Sequence, residues 1–228
     1  MPMSRKIAIV IPAYNEEKHI ATLLEKVKKF GDIVIVVDDG SRDRTSSLCQ
    51  QFQQGENDIF CLRHRVNLGK GAALKTGCLA AKKLGAEIIV TIDGDGQHPS
   101  NIIPEVVQYL LNNKLDIVFT FRQGGDKMPL IRHLGNGALN FVAKTLFRLK
   151  LRDIWCGFRA FRTECLEKIS WQKCDYSGEI QMALQAARQR LSYGEYLIPT
   201  IYNDRFKGVH ILHGLKVLFQ MFIWRFTL

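Results

Sequence analysis

Short apolar runs alternate with longer amphipathic stretches over the first half of the chain. Helical spacing of apolar positions marks the longer stretches, which are Glu17–Phe30, Thr45–Gln54, Gly71–Leu84 and Ile102–Asn113. The short runs are rich in β-branched residues, as buried parallel strands are, and they are Ile7–Ile11, Ile33–Val37, Ile59–Leu62, Glu87–Ile92 and Asp116–Thr120. This alternation predicts an α/β fold with a mostly parallel, Rossmann-like sheet flanked by helices.

The pattern changes after about Phe121. A glycine-bearing loop leads into a predicted helix at Leu130–Leu149, and a second helix is predicted at Ser177–Arg190. Strand signals are found around Phe158–Arg162 and Tyr196–Ile201. The chain has 228 residues and 46% hydrophobic content, which suffices for one core. We therefore predict one domain over residues 1–210, with halves 1–121 and 122–210.

The last segment, residues 211–228, is rich in Leu, Phe, Ile and Trp. A spanning helix needs about 20 apolar residues, and Lys216 and Arg225 argue against one here. Its polar positions form a narrow stripe at helical spacing: His213, Lys216, Gln220 and Thr227. We predict an amphipathic helix that lies in a membrane interface. The alternative is that this helix docks on the protein's own core.

Charge and cysteine usage narrow the class of partner and the compartment. A formal net charge of +10 favours phosphate-bearing partners, which are nucleic acid, nucleotides or an anionic membrane face. The six cysteines form no CxxC pair and no zinc-finger spacing, which indicates reduced thiols in a cytosolic chain. The apolar run Ile7–Ile11 is too short for a signal peptide. We expect a cytoplasmic protein, peripheral on the cytoplasmic face of the membrane.

Three polar loops follow predicted strands and should meet at one sheet edge, where ligands bind in open α/β folds. They begin at Pro12, at Asp38 and at Asp93. Asp93, Asp95 and Gln97 offer hard oxygen ligands that suit Mg²⁺ or Mn²⁺, and such an ion would hold a diphosphate. For any one loop alone, a turn or a helix cap explains the sequence about equally well.

A fourth loop, Asn67–Gly71, precedes a predicted helix. Free N–H groups at a helix start favour an anion, and Lys70 adds a positive charge there. The loop lacks the full P-loop pattern, which argues against an ATPase.

These loops carry a family resemblance. Ile-Pro-Ala-Tyr-Asn-Glu, Val-Asp-Asp-Gly-Ser, Asn-Leu-Gly-Lys-Gly and Asp-Gly-Asp-Gly-Gln-His occur in the order typical of family 2 glycosyltransferases. Cys156-Gly157-Phe158-Arg159 and the segment Tyr202–Gly208 resemble the dolichyl-phosphate mannose synthase, or polyprenyl-phosphate hexose synthase, branch. The resemblance implies the GT-A nucleotide-diphospho-sugar transferase fold, with residues 1–121 as nucleotide-sugar half and 122–210 as acceptor half.

The resemblance also implies a nucleoside border and a metal site. Asp93 and Asp95 form the Asp-x-Asp element, and Gln97 completes the site for Mg²⁺ or Mn²⁺. The residues expected to border the nucleoside are Pro12, Tyr14, Glu16 and Asp39.

Cations are assigned to phosphates by the same resemblance. Arg122 and Arg132 match arginines that face the donor diphosphate and the acceptor phosphate, with a solvated arginine as the alternative for each. Arg205 lies in the Tyr-x-x-Arg-x-x-Gly pattern and should reach the donor phosphates, assisted by Lys207. Lys70 is counted among the nucleotide-sugar ligands.

The chain departs from the branch at two places. The Ser-Lys pair usual after Gly208 is replaced by His210-Ile211, and a serine often found near Gly135 is missing. Both departures leave the acceptor open.

The implied mechanism is an inverting in-line transfer in which a metal ion and arginines stabilise the departing nucleoside diphosphate. A lipid monophosphate nucleophile needs no general base, whereas a hydroxyl does. Asp153 is the carboxylate nominated near the acceptor, either orienting an arginine, acting as that base or forming an ordinary salt bridge. Glu179 is named second, since a helix glutamate is usually solvated. The catalytic set comprises Asp95, Asp153, Arg122, Arg132 and Arg205.

The predicted function is transfer of mannose or glucose from GDP-mannose or UDP-glucose to a polyprenyl or dolichyl phosphate. The alternative within the family is a saccharide or other hydroxyl acceptor. A nucleic-acid-binding protein is disfavoured because no recognition motif is present. The Asp93, Asp95 and Gln97 set argues against a non-catalytic partner of a membrane complex. A separate membrane subunit would be a further partner.

Overall fold

The structure is a computed structural model that describes residues 5–55, 58–122, 130–199 and 211–227, with residues 55, 130–136, 138 and 211–215 described by their backbone alone. The strands are β1 (Ile7–Ala13), β2 (Ile33–Asp38), β3 (Ile59–Arg63), β4 (Ile88–Thr91), β5 (Ile117–Arg122), β6 (Arg159–Arg162) and β7 (Tyr193–Ile198). The helices are α1 (Ile20–Val27), α2 (Thr45–Gly55), α3 (Lys70–Lys83), α4 (Ile103–Asn112), α5 (Leu130–Phe147), α6 (Ser177–Arg188) and α7 (Ile211–Thr227). Short 3₁₀ turns cover Ser100–Ile102 and Thr163–Cys165.

The strands of the described residues form one sheet in the order β3-β2-β1-β4-β6-β5-β7. Only β6 in this sheet runs antiparallel to its neighbours, which are β4 and β5. The remaining pairs are parallel. The mostly parallel α/β sheet predicted from the apolar runs is confirmed.

Helices cover both faces of the sheet, because successive strand residues point to opposite sides. In β2, Ile33, Ile35 and Val37 join a core with α3, α5, α6 and α7. Val34 and Val36 join a second core with α1, α2 and α4. The sheet is therefore buried on both faces.

The strand order reverses at β1, which lies between β2 and β4. Such a switch point opens a crevice beyond the carboxyl ends of the strands. Backbone contacts hold the loops together there: Asp39 N donates to Ala13 O at 2.8 Å. A Cβ atom on Gly94 would lie 2.9 Å from Pro12 O, so only glycine lets the β4 loop approach β1 this closely. The fold thus brings the predicted acidic loops to one edge.

Element boundaries differ from the predictions mainly at turns. Helix α1 begins at Ile20 instead of Glu17, because Glu16 O accepts hydrogen bonds from His19 N and Ile20 N and closes a turn first. Strand β7 begins three residues earlier than predicted, since Tyr193 already pairs with Ile117 of β5. The sequence signal was weak there because most β7 side chains are half-buried.

Helix α7 packs one of its faces on the core. Val217, Met221 and Trp224 are buried in the same cluster as α5 residues. The predicted alternative, docking on the protein's own core, is therefore correct for this face. Among the described residues, no helix is long and apolar enough to cross a membrane.

Helix α3 lies very close to β1 at Gly77. A Cβ atom there would overlap Val10 Cγ1 and lie 3.2 Å from Val37 Cγ2. We expect Gly77→Ala to lower the free energy of unfolding by about 1 to 3 kcal/mol, because overpacking outweighs the gain in helix propensity. Urea denaturation measures this change.

Gly137→Ala is the matched control, since Gly137 is exposed in α5 and a Cβ atom there meets nothing within 4 Å. We expect it to raise the free energy of unfolding by up to about 1 kcal/mol. Equal stabilisation by both substitutions would contradict the close packing of α3 on β1.

Candidate functional site

The site is built around a lysine held between two carboxylates. Lys70 Nζ lies 2.7 Å from Asp93 Oδ1 and 2.9 Å from Glu179 Oε2. Burial disfavours charge on Lys70, but Asp93 and Glu179 outweigh it and raise the lysine pKa. Burial acts to raise the pKa of Asp93, yet Lys70 in particular lowers it to about 2. The first turns of α3 and α6 are thereby tied to the end of β4.

Asp39 organises the loop before α3. Its carboxylate is 3% exposed and accepts hydrogen bonds from Leu68 N at 2.9 Å and Gly69 N at 2.7 Å. The same carboxylate lies 2.7 Å from His64 Nδ1, whose other ring nitrogen is 2.9 Å from Thr76 Oγ1. The prediction of free N–H groups in this loop is wrong for Leu68 and Gly69, because the carboxylate of Asp39 already accepts their hydrogen bonds.

The glycines of this loop allow another segment to cover the start of α3. Gly69 has φ +98°, in the left-handed region, and a Cβ atom there would lie 2.5 Å from Cys174 O. Ala72 N donates to Cys174 O at 3.1 Å, and Trp171 Nε1 donates to Gly71 O at 2.8 Å. The segment before α6 therefore rests directly on the lysine-bearing turn.

Gly157 lets the Cys-Gly-Phe-Arg element touch the charged cluster. A Cβ atom on Gly157 would lie 2.6 Å from Asp93 Oδ1, 2.7 Å from Glu179 Oε1 and 2.9 Å from Lys70 Nζ. Thr91 Oγ1 donates to Gly157 O at 2.7 Å and fixes the glycine against β4. No larger residue fits at this position without displacing an ion-paired group.

Arg159 of the same element is a structural clamp. Its side chain is 1% exposed and donates to three carbonyl oxygens. These are Cys156 O at 3.1 Å, Glu179 O at 2.6 Å and Ile154 O at 3.0 Å. Burial lowers the pKa of this arginine. The clamp places Glu179 beside Gly157 and Lys70.

Arg122 and Asp153 form a second ion pair nearby. Arg122 Nε donates to Asp153 Oδ2 at 2.8 Å, and Trp155 N donates to Asp153 Oδ1 at 3.2 Å. Burial disfavours charge on Arg122, but Asp153 outweighs it and raises the arginine pKa, and Asp93 contributes in the same direction. This ion pair is compatible with two of the roles left open by the sequence, which are orientation of an arginine and an ordinary salt bridge.

The predicted metal ligands share one turn after β4. Asp95 Oδ1 accepts from Gln97 N at 3.0 Å, and all three predicted ligand side chains are partly exposed. Within the part of the chain that the structure describes, no three His, Cys, Asp or Glu side chains group as a metal site. The predicted set has only two such side chains and adds an amide, and its hard oxygens suit a divalent cation.

The remaining predicted residues are placed less completely. Pro12 is buried at the loop junction, Tyr14 is 39% exposed, and Glu16 N donates to Thr45 Oγ1 at 2.8 Å. Arg132 lies near the start of α5, among the residues 130–136 that are described by their backbone alone. Arg205 and Lys207 lie outside the described residues.

The sequence did not indicate the burial of Glu179 or the contact between Tyr176 and Lys70. Glu179 was expected to be solvated, yet it is 5% exposed and ion-paired with Lys70. The Tyr176 ring centroid lies 5.6 Å from Lys70 Nζ. Glu179 is buried because the neighbouring residues of α6, Ser177 to Leu184, are buried as well. The spacing of apolar residues in the sequence does not reveal that this turn is buried on all sides.

We expect Asp39→Asn to destabilise the protein by about 1 to 3 kcal/mol, because the amide nitrogen would face an N–H donor in a buried position. Urea denaturation measures this. Asp58→Asn, at an exposed position, should change the free energy of unfolding by no more than about 0.5 kcal/mol. Wild-type stability of Asp39→Asn would refute the role of this carboxylate in holding the loop.

Comparisons with known proteins agree with this geometry. The family model "Glycosyl transferase family 2" matches residues 8–170. A UDP-N-acetylglucosamine–dolichyl-phosphate N-acetylglucosaminyltransferase of Methanococcus voltae is 31% identical over 236 residues, covering 94% of this chain and 94% of that protein. A polyprenol monophosphomannose synthase of Mycolicibacterium smegmatis is 28% identical over 232 residues, covering 96% and 85%.

Among solved structures, glucosyl-3-phosphoglycerate synthase from Mycobacterium tuberculosis, in complex with Mn²⁺ and UDP-glucose, superposes with a TM-score of 0.73. It is 21% identical and covers 97% of this chain and 79% of that chain, a likeness that shows the fold. The predicted GT-A fold and the resemblance to the dolichyl-phosphate hexose synthase branch are confirmed. The chain belongs to glycosyl transferase family 2 and is a glycosyltransferase.

Proposed function

We propose that this glycosyltransferase moves a hexose from a nucleotide sugar to a polyprenyl or dolichyl phosphate, with inversion. A phosphate acceptor is supported by one observation: the two carboxylates that could act as general bases are both engaged in ion pairs. Asp153 is paired with Arg122 at 2.8 Å, and Glu179 is paired with Lys70 at 2.9 Å. Both carboxylates are thus already engaged by cations, which disfavours them as acceptors of a hydroxyl proton, whereas a lipid phosphate is anionic at neutral pH and needs no base.

The donor's nucleoside is proposed to bind beside Pro12, Tyr14, Glu16 and Asp39, at the carboxyl ends of β1 and β2. Asp39 contributes through the backbone of Leu68 and Gly69, which its carboxylate holds in place. Tyr14 is exposed on the rim and offers a ring to the base. GDP-mannose and UDP-glucose are the proposed donors.

The diphosphate is proposed to lie over the cluster of fixed charges. When bound by Asp93, Asp95 and Gln97, Mg²⁺ or Mn²⁺ supplies positive charge for the departing nucleoside diphosphate. Lys70 and Arg122 add two cations whose positions are already set by carboxylates. Preset charges stabilise a developing anion without reorganising during the reaction. Arg205 and Lys207 are proposed to complete the phosphate contacts, and Arg132 to face the acceptor.

The acceptor phosphate is proposed to approach Arg122. Asp153 fixes Nε of this residue and so sets the plane of the guanidinium, whose fork matches phosphate oxygens. A hydroxyl acceptor remains the second candidate, since the replacement of Ser-Lys by His210-Ile211 departs from the branch that uses lipid phosphates. The proposed location is the cytoplasmic face of a membrane.

The first test is transfer of label from nucleotide sugars to short-chain polyprenyl phosphates, with Mn²⁺ or Mg²⁺ present. We expect label in the organic phase for the wild type, and a fall on the order of 100-fold for Asp95→Ala or after chelation of the metal. Asp58→Asn should retain full transfer.

Donor binding without any labelled lipid would reject the lipid-phosphate acceptor and favour a hydroxyl. Transfer that survives both Asp95→Ala and chelation would reject the metal site.

Asp153→Asn separates a positioning role from general-base catalysis. The asparagine oxygen still accepts from Arg122, so we expect kcat/KM to fall only on the order of tenfold. A general base contributes roughly 10²- to 10⁴-fold, so a loss of that size in kcat with unchanged KM would instead identify Asp153 as a base. Arg122→Lys should show the larger loss of the two substitutions, because lysine lacks the fork.

A further inference from the structure

Helix α7 is apolar on two opposite sides. One side packs on the core through Val217, Met221 and Trp224, which are 0%, 0% and 4% exposed. The other side projects four large apolar residues into solvent, and we call these the α7 stripe: Phe219 (69% exposed), Phe222 (52%), Ile223 (46%) and Phe226 (86%). Their spacing of three, four and seven residues places them on one helix face. Within the residues that the structure describes, packing therefore does not account for this second face.

The two helices that form this surface, α5 and α7, carry only positive formal charge of their own, although Lys216 is paired with Asp175 from the segment before α6. Neither α7 nor α5, against which α7 packs, contains an aspartate or glutamate. Lys144 of α5 and both Lys216 and Arg225 of α7 are exposed. Phe141 of α5 is 67% exposed and adds to the apolar surface of this helix pair. A basic, aromatic helix face is the composition that binds anionic lipid surfaces.

We infer that the α7 stripe docks the protein on an anionic lipid surface, with its four side chains buried among the acyl chains and Lys216 and Arg225 at the headgroups. A second copy of the chain suits this face less well. Pairing two stripes would bring the basic residues of both copies together; Lys216 is offset by Asp175, but α7 and α5 have no acidic residue of their own for Arg225 and Lys144.

The docking face connects to the charged cluster through a short series of contacts. Lys216 Nζ lies 3.7 Å from Asp175 Oδ2. The next residue, Tyr176, places its ring 5.6 Å from Lys70 Nζ. A lipid surface on α7 is thus close to the site of the proposed transfer. This part of the inference rests on the proposed function, whereas the docking itself does not.

The test is co-sedimentation of the full chain with vesicles of phosphatidylglycerol and phosphatidylcholine, and with vesicles of phosphatidylcholine alone. We expect the wild type to bind the anionic vesicles, and Phe222→Asp/Phe226→Asp to bind them at least tenfold more weakly. Leu79→Asp, at a 46% exposed apolar position on α3, is the matched control and should bind as wild type. Phe222→Leu/Phe226→Leu should keep most of the binding. Circular dichroism and thermal melting establish that each variant is folded.

Two results would overturn the inference. The first is equal vesicle binding by the wild type and the folded double aspartate variant. The second is a wild-type dimer in sedimentation velocity that becomes monomeric in the double aspartate variant without any vesicle binding, which would identify the stripe as a contact between copies.

Turnover of a short-chain, water-soluble acceptor phosphate tests the proposed function separately. The double aspartate variant should keep this turnover even as vesicle binding is lost. If the wild type lacks turnover but binds vesicles, the proposed function fails and the docking face stands.

Discussion

The interaction on which the rest of the site depends is the ammonium of Lys70 between Asp93 and Glu179. Three elements that are distant in sequence meet at this one group: the start of α3, the end of β4 and the first turn of α6. The two carboxylates lie 2.7 Å and 2.9 Å from the same ammonium and would repel each other without it, so the cation allows all three elements to pack together. The contacts by which Lys70 joins these elements of the fold are also the contacts that would position it in the proposed transfer.

The Cys-Gly-Phe-Arg element packs against this charged cluster and holds it in place. Arg159 holds the backbone of Glu179, and Gly157 leaves the room that the charged groups occupy. Arg159 is buried and donates to carbonyl oxygens of the protein itself, whereas Gly157 lies directly against the charged groups of Lys70, Asp93 and Glu179. The charged residue of the motif, Arg159, is therefore structural, and the uncharged Gly157 sets the geometry of the cluster.

The sequence was informative wherever a signal is local. Buried strands are recognisable in the sequence as runs of β-branched residues. The loops that follow these strands contain Asp39, Asp93 and Asp95, which lie at the predicted edge of the sheet. Contacts between residues distant in sequence leave no local pattern. The hydrogen bonds from Leu68 N and Gly69 N to Asp39 and the ion pair of Lys70 with Glu179 therefore could not be predicted. The antiparallel direction of β6 also depends on tertiary context, since a four-residue strand reads the same in either direction. The predicted roles of Arg132, Arg205 and Lys207 stay predictions, because their side chains lie outside the described residues.

Asp39 has a further consequence for how this protein treats a bound anion. The amino end of a helix carries a partial positive charge that many phosphate-binding proteins use directly. Here the buried Asp39 carboxylate accepts from Leu68 N and Gly69 N just before α3, and Cys174 O accepts from Ala72 N in its first turn. These N–H groups are already hydrogen-bonded within the protein, so the proposed binding of a diphosphate would depend more on side-chain cations such as Lys70 and Arg122. Side chains change by single substitutions while a helix dipole does not, so on the proposed function the affinity for phosphate could be adjusted during evolution without any change of fold.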